Sequence, residues 1–241
     1  MAKPGFIELS QARDLRIPIL YEDRSVIALD KPAGWLLVPD DWAQTSRNLQ
    51  AAINASLVAR DFWAHSRNLR FLRYIHRLDA ETSGVLLCAR SSGAMPVFSR
   101  LFESRQMEKR YLAVVHGTPR QSEWTSCEPL GPAPGKAGRM KVDTRTGKPA
   151  QTRLRVLETR GDRTLVEAHP LTGRTQQIRV HLEATGHPVF GDTLYGSATV
   201  PDKVPLALRA TTLAYTDPFT RRPVRIHAPT EEFLRAYGFA P

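Results

Sequence analysis

The sequence holds two cysteines, Cys88 and Cys127, in 241 residues. Two are too few for a disulfide scaffold or a four-cysteine zinc site, and such scarcity fits a reducing cytoplasm. Long apolar runs are missing too. Mean hydropathy is −0.34, and no stretch approaches the roughly 20 apolar residues that cross a bilayer. The opening residues, MAKPGFIELSQARDLR, contain no apolar segment of secretory type. The signatures G-x-x-x-x-G-K-[ST], G-x-G-x-x-G, H-E-x-x-H and G-x-S-x-G do not occur. The histidines His65, His76, His116, His169, His181, His187 and His227 lack metal-ligand spacing, so no metal site is expected.

Negative charge is also in deficit. Asp and Glu number 24 against 34 Lys and Arg, a formal net charge of +10. Such a chain is drawn to polyanions, of which nucleic acid is the commonest in a cytoplasm. The excess is concentrated. Residues 136–179 carry eleven cations against Asp143, Glu158, Asp162 and Glu167, a net of +7. The front of this stretch, GKAGRMKVDTRTGK, is glycine-rich and nearly free of apolar residues. It reads as an exposed loop or hairpin tip that presents Lys136, Arg139, Lys141, Arg145 and Lys148 to a phosphate backbone. The plainer alternative is a solvated loop.

Hydrophobic residues at 41% and charged residues at 24% are ordinary for a globular protein. A chain of this length buries roughly 70–75% of its unfolded surface. Apolar periodicity predicts helices over 46–59, capped by Thr45 or Ser46, over 94–105, and over 174–185, running from a Thr172 cap to a stop at Gly186. Short β-type runs fall at Val26–Leu29, Val85–Ala89, Tyr111–Val115, Arg153–Leu157, Thr164–Ala168, Leu206–Leu213 and Val224–Ile226. Strands separated by turns with few helices indicate an α+β fold with a mixed, largely antiparallel sheet. The expected organisation is an N-terminal extension over 1–20, one catalytic-type domain over 21–230 and a C-terminal tail over 231–241. Residues 117–150 form a peripheral insertion in that domain.

Two segments carry chemistry. In His76-Arg77-Leu78-Asp79-Ala80-Glu81-Thr82-Ser83-Gly84, a carboxylate sits in a loop that leads into the apolar run VLLCA. The strand would fix Asp79 and the loop would expose it, although Asp, Thr, Ser and Gly are also ordinary turn formers. Farther on, Thr175, Ile178, Arg179, Leu182 and Gly186 share one helical face. Arg179 therefore lies on or beside an inward stripe, and a desolvated guanidinium requires a carboxylate or several carbonyls. Asp79, Asp192 and Glu81 are all candidates.

HRLDAETSGVLLCAR resembles the signature of the RluA-type RNA pseudouridine synthases. HPLTGRTQQIRVHLEATGHPVFGDTLYG, YEDRSVIALDKPAGWLLVP, MEKRYLAVVHG and LALRATTLAYTDPFTRRPVRIHAP resemble further blocks of that family, in order over about residues 20–229. The resemblance implies a cofactor-free isomerisation of uridine to pseudouridine in structured RNA, ribosomal RNA being favoured over transfer RNA. By the same resemblance Asp79 is the nucleophile, Arg179 pairs with it, and Tyr111 stacks on the uracil. Arg77 would fill the space of a flipped base, and Ile178 and Leu182 wall the pocket or pack the core. Gln176 stands where the family usually has His, and so does Arg209. The chain opens close to the core, so RNA recognition is expected from the core and its insertions. A monomer without membrane attachment is expected. Competing readings are a catalytically silent RNA-binding protein of the same fold, an RNA hydrolase using His76 and His181, and a basic metabolic enzyme.

Overall fold

The computed structural model describes residues 3–9, 12–37, 47–136, 138–196 and 204–240. In chain order the elements are β1 (Phe6–Leu9), β2 (Ala12–Glu22), β3 (Val26–Lys31), α1 (Leu49–Ala59), α2 (Phe62–His65), β4 (Arg73–Tyr74), β5 (Ser83–Ala89) and α3 (Ala94–Glu103). There follow β6 (Glu108–His116), β7 (Glu123–Ser126), β8 (Leu130–Pro132), β9 (Met140–Val142), β10 (Thr152–Arg160), β11 (Arg163–Pro170), α4 (Gln177–Ala184), β12 (Leu208–Thr216), β13 (Pro223–His227) and α5 (Glu231–Ala236). This is the α+β, largely antiparallel architecture that the sequence pattern predicts. The chain divides into two compact units, Met1–Met107 with Ala214–Ala228, and Glu108–Leu213 with Pro229–Pro241. Among the described residues no helix is long and apolar enough to cross a membrane.

In the first unit the strand order is β1-β2-β3-β5, with β4 also paired to β5. The runs VIALDK and SGVLLCA are buried on both faces, which is why they read as continuous apolar stretches rather than as alternation. Residues 1–20, predicted as an extension, supply β1 and most of β2, and bury Ile7, Leu9 and Ile17. Arg67 ties this segment down. Its Nε donates to Glu22 at 2.8 Å and its Nη2 to the Pro4 carbonyl at 2.7 Å. Helix α1 is capped by Asn48, whose Oδ1 accepts from the Ala51 amide at 3.0 Å. The predicted caps Thr45 and Ser46 lie outside the described residues.

In the second unit the order is β12-β6-β11-β10-β7. The core gathers Val114, Val166, Leu182, Val189 and Ala207, together with Leu234, Tyr237 and Phe239 from the predicted C-terminal tail. Residues 117–150 contain β7 and an antiparallel β8–β9 hairpin, whose Leu130 packs with Val180 and Tyr195. Helix α4 starts later than the periodicity predicts. Gln176 sits at φ 55°, in the left-handed region, so a right-handed helix cannot pass through it. Thr172 is consequently not the cap; its hydroxyl donates to the Gln177 side chain at 2.7 Å. The helix stops as predicted, with Gly186 at φ +84°.

Candidate active site

Asp79 belongs to the first unit, in the loop between β4 and β5, and is half-buried. Leu78 before it is buried and Arg77 is exposed. What shapes this loop is Lys31, the last residue of β3, which is completely buried. Its ammonium donates to the carbonyls of Ala80 at 2.8 Å, Thr82 at 2.9 Å and Pro32 at 3.0 Å. The Gly34 amide also donates to the Ala80 carbonyl, at 2.8 Å. One buried cation thus collects the backbone on either side of Glu81 and holds the turn that carries Asp79. Burial pushes the Lys31 amine down to about 8, while the negative charges of Glu81 and Asp79 pull it back up. An isolated ammonium in this position would be costly; three carbonyls and two nearby carboxylates offset that cost. Sequence reading missed Lys31. The available signal was a lysine closing a run of uninterrupted apolar burial.

Arg179 and Tyr111 belong to the second unit. Arg179, on α4, is 2% exposed. Its Nε donates to Asp192 Oδ2 at 2.7 Å and its Nη2 to Oδ1 at 2.8 Å, a planar two-bond clasp. Asp192 was one of the three partners left open by the sequence. Its Oδ1 also accepts the amides of Leu194 at 2.9 Å and Tyr195 at 3.0 Å. The same carboxylate therefore satisfies the arginine and shapes the next turn. The Tyr195 ring lies under the guanidinium, 5.3 Å from its centre.

Tyr111 lies on β6, opposite Ala168 of β11, and rests partly buried against the core. Lys109, two residues earlier on the same strand face, donates to the Thr172 carbonyl at 3.0 Å, and burial pushes its amine down to about 8. Ile178 and Leu182 sit in the core cluster, Leu182 with no exposure at all. Lys136, Lys141, Arg145 and Lys148 are exposed and Arg139 half-exposed.

The histidine pair of the hydrolase reading is engaged elsewhere. His181 is completely buried, with Nδ1 at 2.9 Å from the Thr152 hydroxyl and Nε2 at 3.0 Å from the Glu128 carbonyl. The carbonyl can only accept, so Nε2 carries the proton. Burial holds this imidazole below its usual pKa. His76 Nε2 accepts the Leu87 amide at 3.1 Å, and its ring stacks on Phe102. Both rings are packing groups. Arg209 donates to the Pro229 carbonyl at 2.8 Å, a surface contact within the second unit.

Residues 25–184 match the family model described as RNA pseudouridylate synthase. The chain belongs to that family. This pseudouridine synthase is 33% identical over 94% of its length to ribosomal large subunit pseudouridine synthase C of Vibrio vulnificus, covering 70% of that protein. It is 34% identical over 88% of its length to the dual-specificity RNA pseudouridine synthase RluA of Escherichia coli, covering 93% of it. Among solved structures it resembles human RNA pseudouridylate synthase domain containing 1, with a TM-score of 0.72 and 28% identity over 88% of this chain and 83% of that one. The synthase is an RNA uridine isomerase of the RluA type, as its motifs imply.

Proposed function

We propose that this synthase acts on a uridine of ribosomal RNA with Asp79 as its nucleophile, and that Arg179 and Tyr111 are further catalytic residues. The observation that carries the reading is the anchored loop: Asp79 sits beside backbone carbonyls that a buried lysine holds in place. A catalytic carboxylate needs a fixed direction and an ionised state, and a rigid turn next to a cation supplies both. In the reaction the N1–C1′ bond of the uridine breaks, the base turns, and a C5–C1′ bond forms. The C5 proton leaves and N1 gains one, so composition is unchanged. Asp79 attacks or supports the sugar carbon during the interval. The clasp of Arg179 with Asp192 presets the guanidinium plane.

A base inside a stack cannot reach a carboxylate, so the uridine is flipped out at a cost of a few kcal/mol. Arg77, exposed two residues before Asp79, fills the vacated space in this reading. Tyr111 supplies the stacking face, and Ile178 and Leu182 form the apolar ground behind it. Exposed Lys136, Lys141, Arg145 and Lys148, with Arg139, bind phosphates. The name of the Vibrio vulnificus relative supports ribosomal RNA as the substrate class. Mapping pseudouridine across total RNA from cells with and without this gene tests the reading. Loss at one or a few ribosomal positions, restored by wild type and not by Asp79→Asn, is the expected result. An unchanged ribosomal map would overturn it.

A further inference from the structure

Among the described residues, the tip of the β8–β9 hairpin is held from within by a few main-chain bonds. Gly135 and Gly138 sit at φ +70° and +73° with open space where a Cβ would be. The tip closes through main-chain bonds from the Ala133 amide to the Arg139 carbonyl at 2.8 Å and from the Arg139 amide to the Lys136 carbonyl at 3.2 Å. Holding such a tip in one place before a ligand arrives spares affinity.

Its anchor comes from two side chains outside the hairpin. Gln176 Nε2 donates to the Gly138 carbonyl at 2.9 Å, and its Oε1 accepts the Met140 amide at 3.1 Å. The Tyr195 hydroxyl accepts the same amide at 2.9 Å. It also lies 2.9 Å from the Met140 carbonyl and 2.5 Å from Gln176 Oε1, with one proton to share between them. The Arg139 guanidinium lies 4.9 Å from the centre of the Tyr195 ring, which also meets Arg179. Gln176 makes this reach from a left-handed backbone, a conformation that a non-glycine residue keeps only where its surroundings demand it. It stands three residues before Arg179, as Asp192 stands three before Tyr195.

We propose that Gln176 and Tyr195 form a latch that fixes the basic hairpin to the arginine helix, so that RNA phosphates captured by the hairpin are held in register with Arg179. Both are positioning residues: they touch the hairpin and the arginine, and act on the RNA through them. This rests on the reading of the synthase as an RNA-modifying enzyme whose hairpin grips phosphate. The latch itself is a geometric feature, measurable without RNA.

Three full-length variants test it. Tyr195→Phe removes the hydroxyl and keeps the ring between the arginines. Gln176→Gly removes the side chain and suits the left-handed backbone. The third carries both changes. Hydrogen exchange at the Met140 amide, without RNA, should speed by about tenfold or more in each, since the amide loses one or both acceptors. With a substrate RNA found by pseudouridine mapping, Kd and KM should rise by about tenfold, while the single-turnover rate at saturating RNA falls by less than about threefold. The double variant should be little worse than the worse single one, because both changes release one hairpin.

Faster Met140 exchange with unchanged RNA affinity would overturn the proposal, as would a lowered rate at unchanged Kd. Strictly additive losses would overturn the single latch. A general loosening of packing would lower the melting temperature and speed exchange throughout the second unit, which also counts against it. Absence of pseudouridine formation by wild type on any RNA would instead sink the underlying reading, leaving the exchange result to stand.

Discussion

The two units hold their candidate functional side chains by opposite means. In the first, the cation is support and the carboxylate is the proposed nucleophile: Lys31 directs its donors to backbone carbonyls and holds the loop that carries the half-buried Asp79. In the second, the cation is the residue proposed to serve the reaction and the carboxylate is support: Asp192 grips Arg179 with both oxygens in a buried pair. A lysine suits the first task because its compact ammonium can point three donors at three oxygens. An arginine suits the second because its planar fork matches a carboxylate and leaves further N–H groups aimed away from the clasp. Supports of these two kinds should fail differently when removed.

The largest expected effect is on the proposed nucleophile itself. Asp79→Asn keeps size and packing but cannot act as an anion, so pseudouridine formation should fall by more than about a thousandfold. RNA affinity and melting temperature should stay near wild type. Release of tritium from C5-labelled uridine in RNA measures it, and activity within tenfold of wild type would return Asp79 to the role of a turn residue.

Next comes the buried clasp. Asp192→Ala takes both clasp acceptors from the buried Arg179 guanidinium and uncaps the Leu194 and Tyr195 amides. Breaking such a pair from one side costs about 3–5 kcal/mol. For a protein of this size that corresponds to a melting temperature lower by about 10 °C. Calorimetry decides; a drop under about 2 °C would mean that Arg179 finds other partners at no cost.

Lys31→Met should be milder for the fold and still damaging to the chemistry. The variant loses three bonds to carbonyls but also loses the need to bury a charge, so a net loss of about 2 kcal/mol is expected. Turnover should fall through a loosened Asp79 loop. Its pH signature has a definite sign. The folded value near 8 lies below the free value of 10.5. Between them the unfolded chain keeps a proton that the folded chain has released, so Lys31's contribution to stability rises with pH across that window. Lys109 shows the same depression, so the test is the difference between wild type and Lys31→Met, which removes the Lys109 part. That difference should grow from pH 8 to 10.5 in chemical denaturation, and a flat difference would show that the buried amine stays charged.

The smallest effect belongs to the surface. Replacing Lys136, Arg139, Lys141, Arg145 and Lys148 with Ser should flatten the log–log salt dependence of RNA binding by roughly 0.7–0.9 for each phosphate no longer neutralised. The single-turnover rate at saturating RNA should change little. An unchanged slope would place the RNA grip elsewhere.

Sequence reading goes a long way where spacing and chemistry are local. The runs at Val26, Val85, Tyr111, Arg153, Thr164, Leu206 and Val224 all became strands, because β-type runs, continuously buried at Val26 and Val85 and alternating at Arg153, declare themselves in residue pattern. The helix stop at Gly186 and the exposed basic hairpin were equally visible. The terminal strands were not. Residues 1–22 mix charge with apolar residues, and only their pairing and the Arg67–Glu22 contact give them a place. The start of α4 was misplaced because Thr172 has the chemistry of a cap, whereas the break is set by Gln176 and its partners on the hairpin.

By itself the sequence determined the family, the candidate reacting residues and the demand that Arg179 be paired. Those follow from residue type at fixed spacing, which needs no third dimension. Only the tertiary structure decided that Asp192 holds Arg179, that Lys31 shapes the Asp79 loop, and that Gln176 and Tyr195 reach the hairpin. Each of these joins residues far apart in the chain or on different elements. Burial demands that every charge and amide be satisfied, but which partner satisfies it depends on how the strands and helices pack.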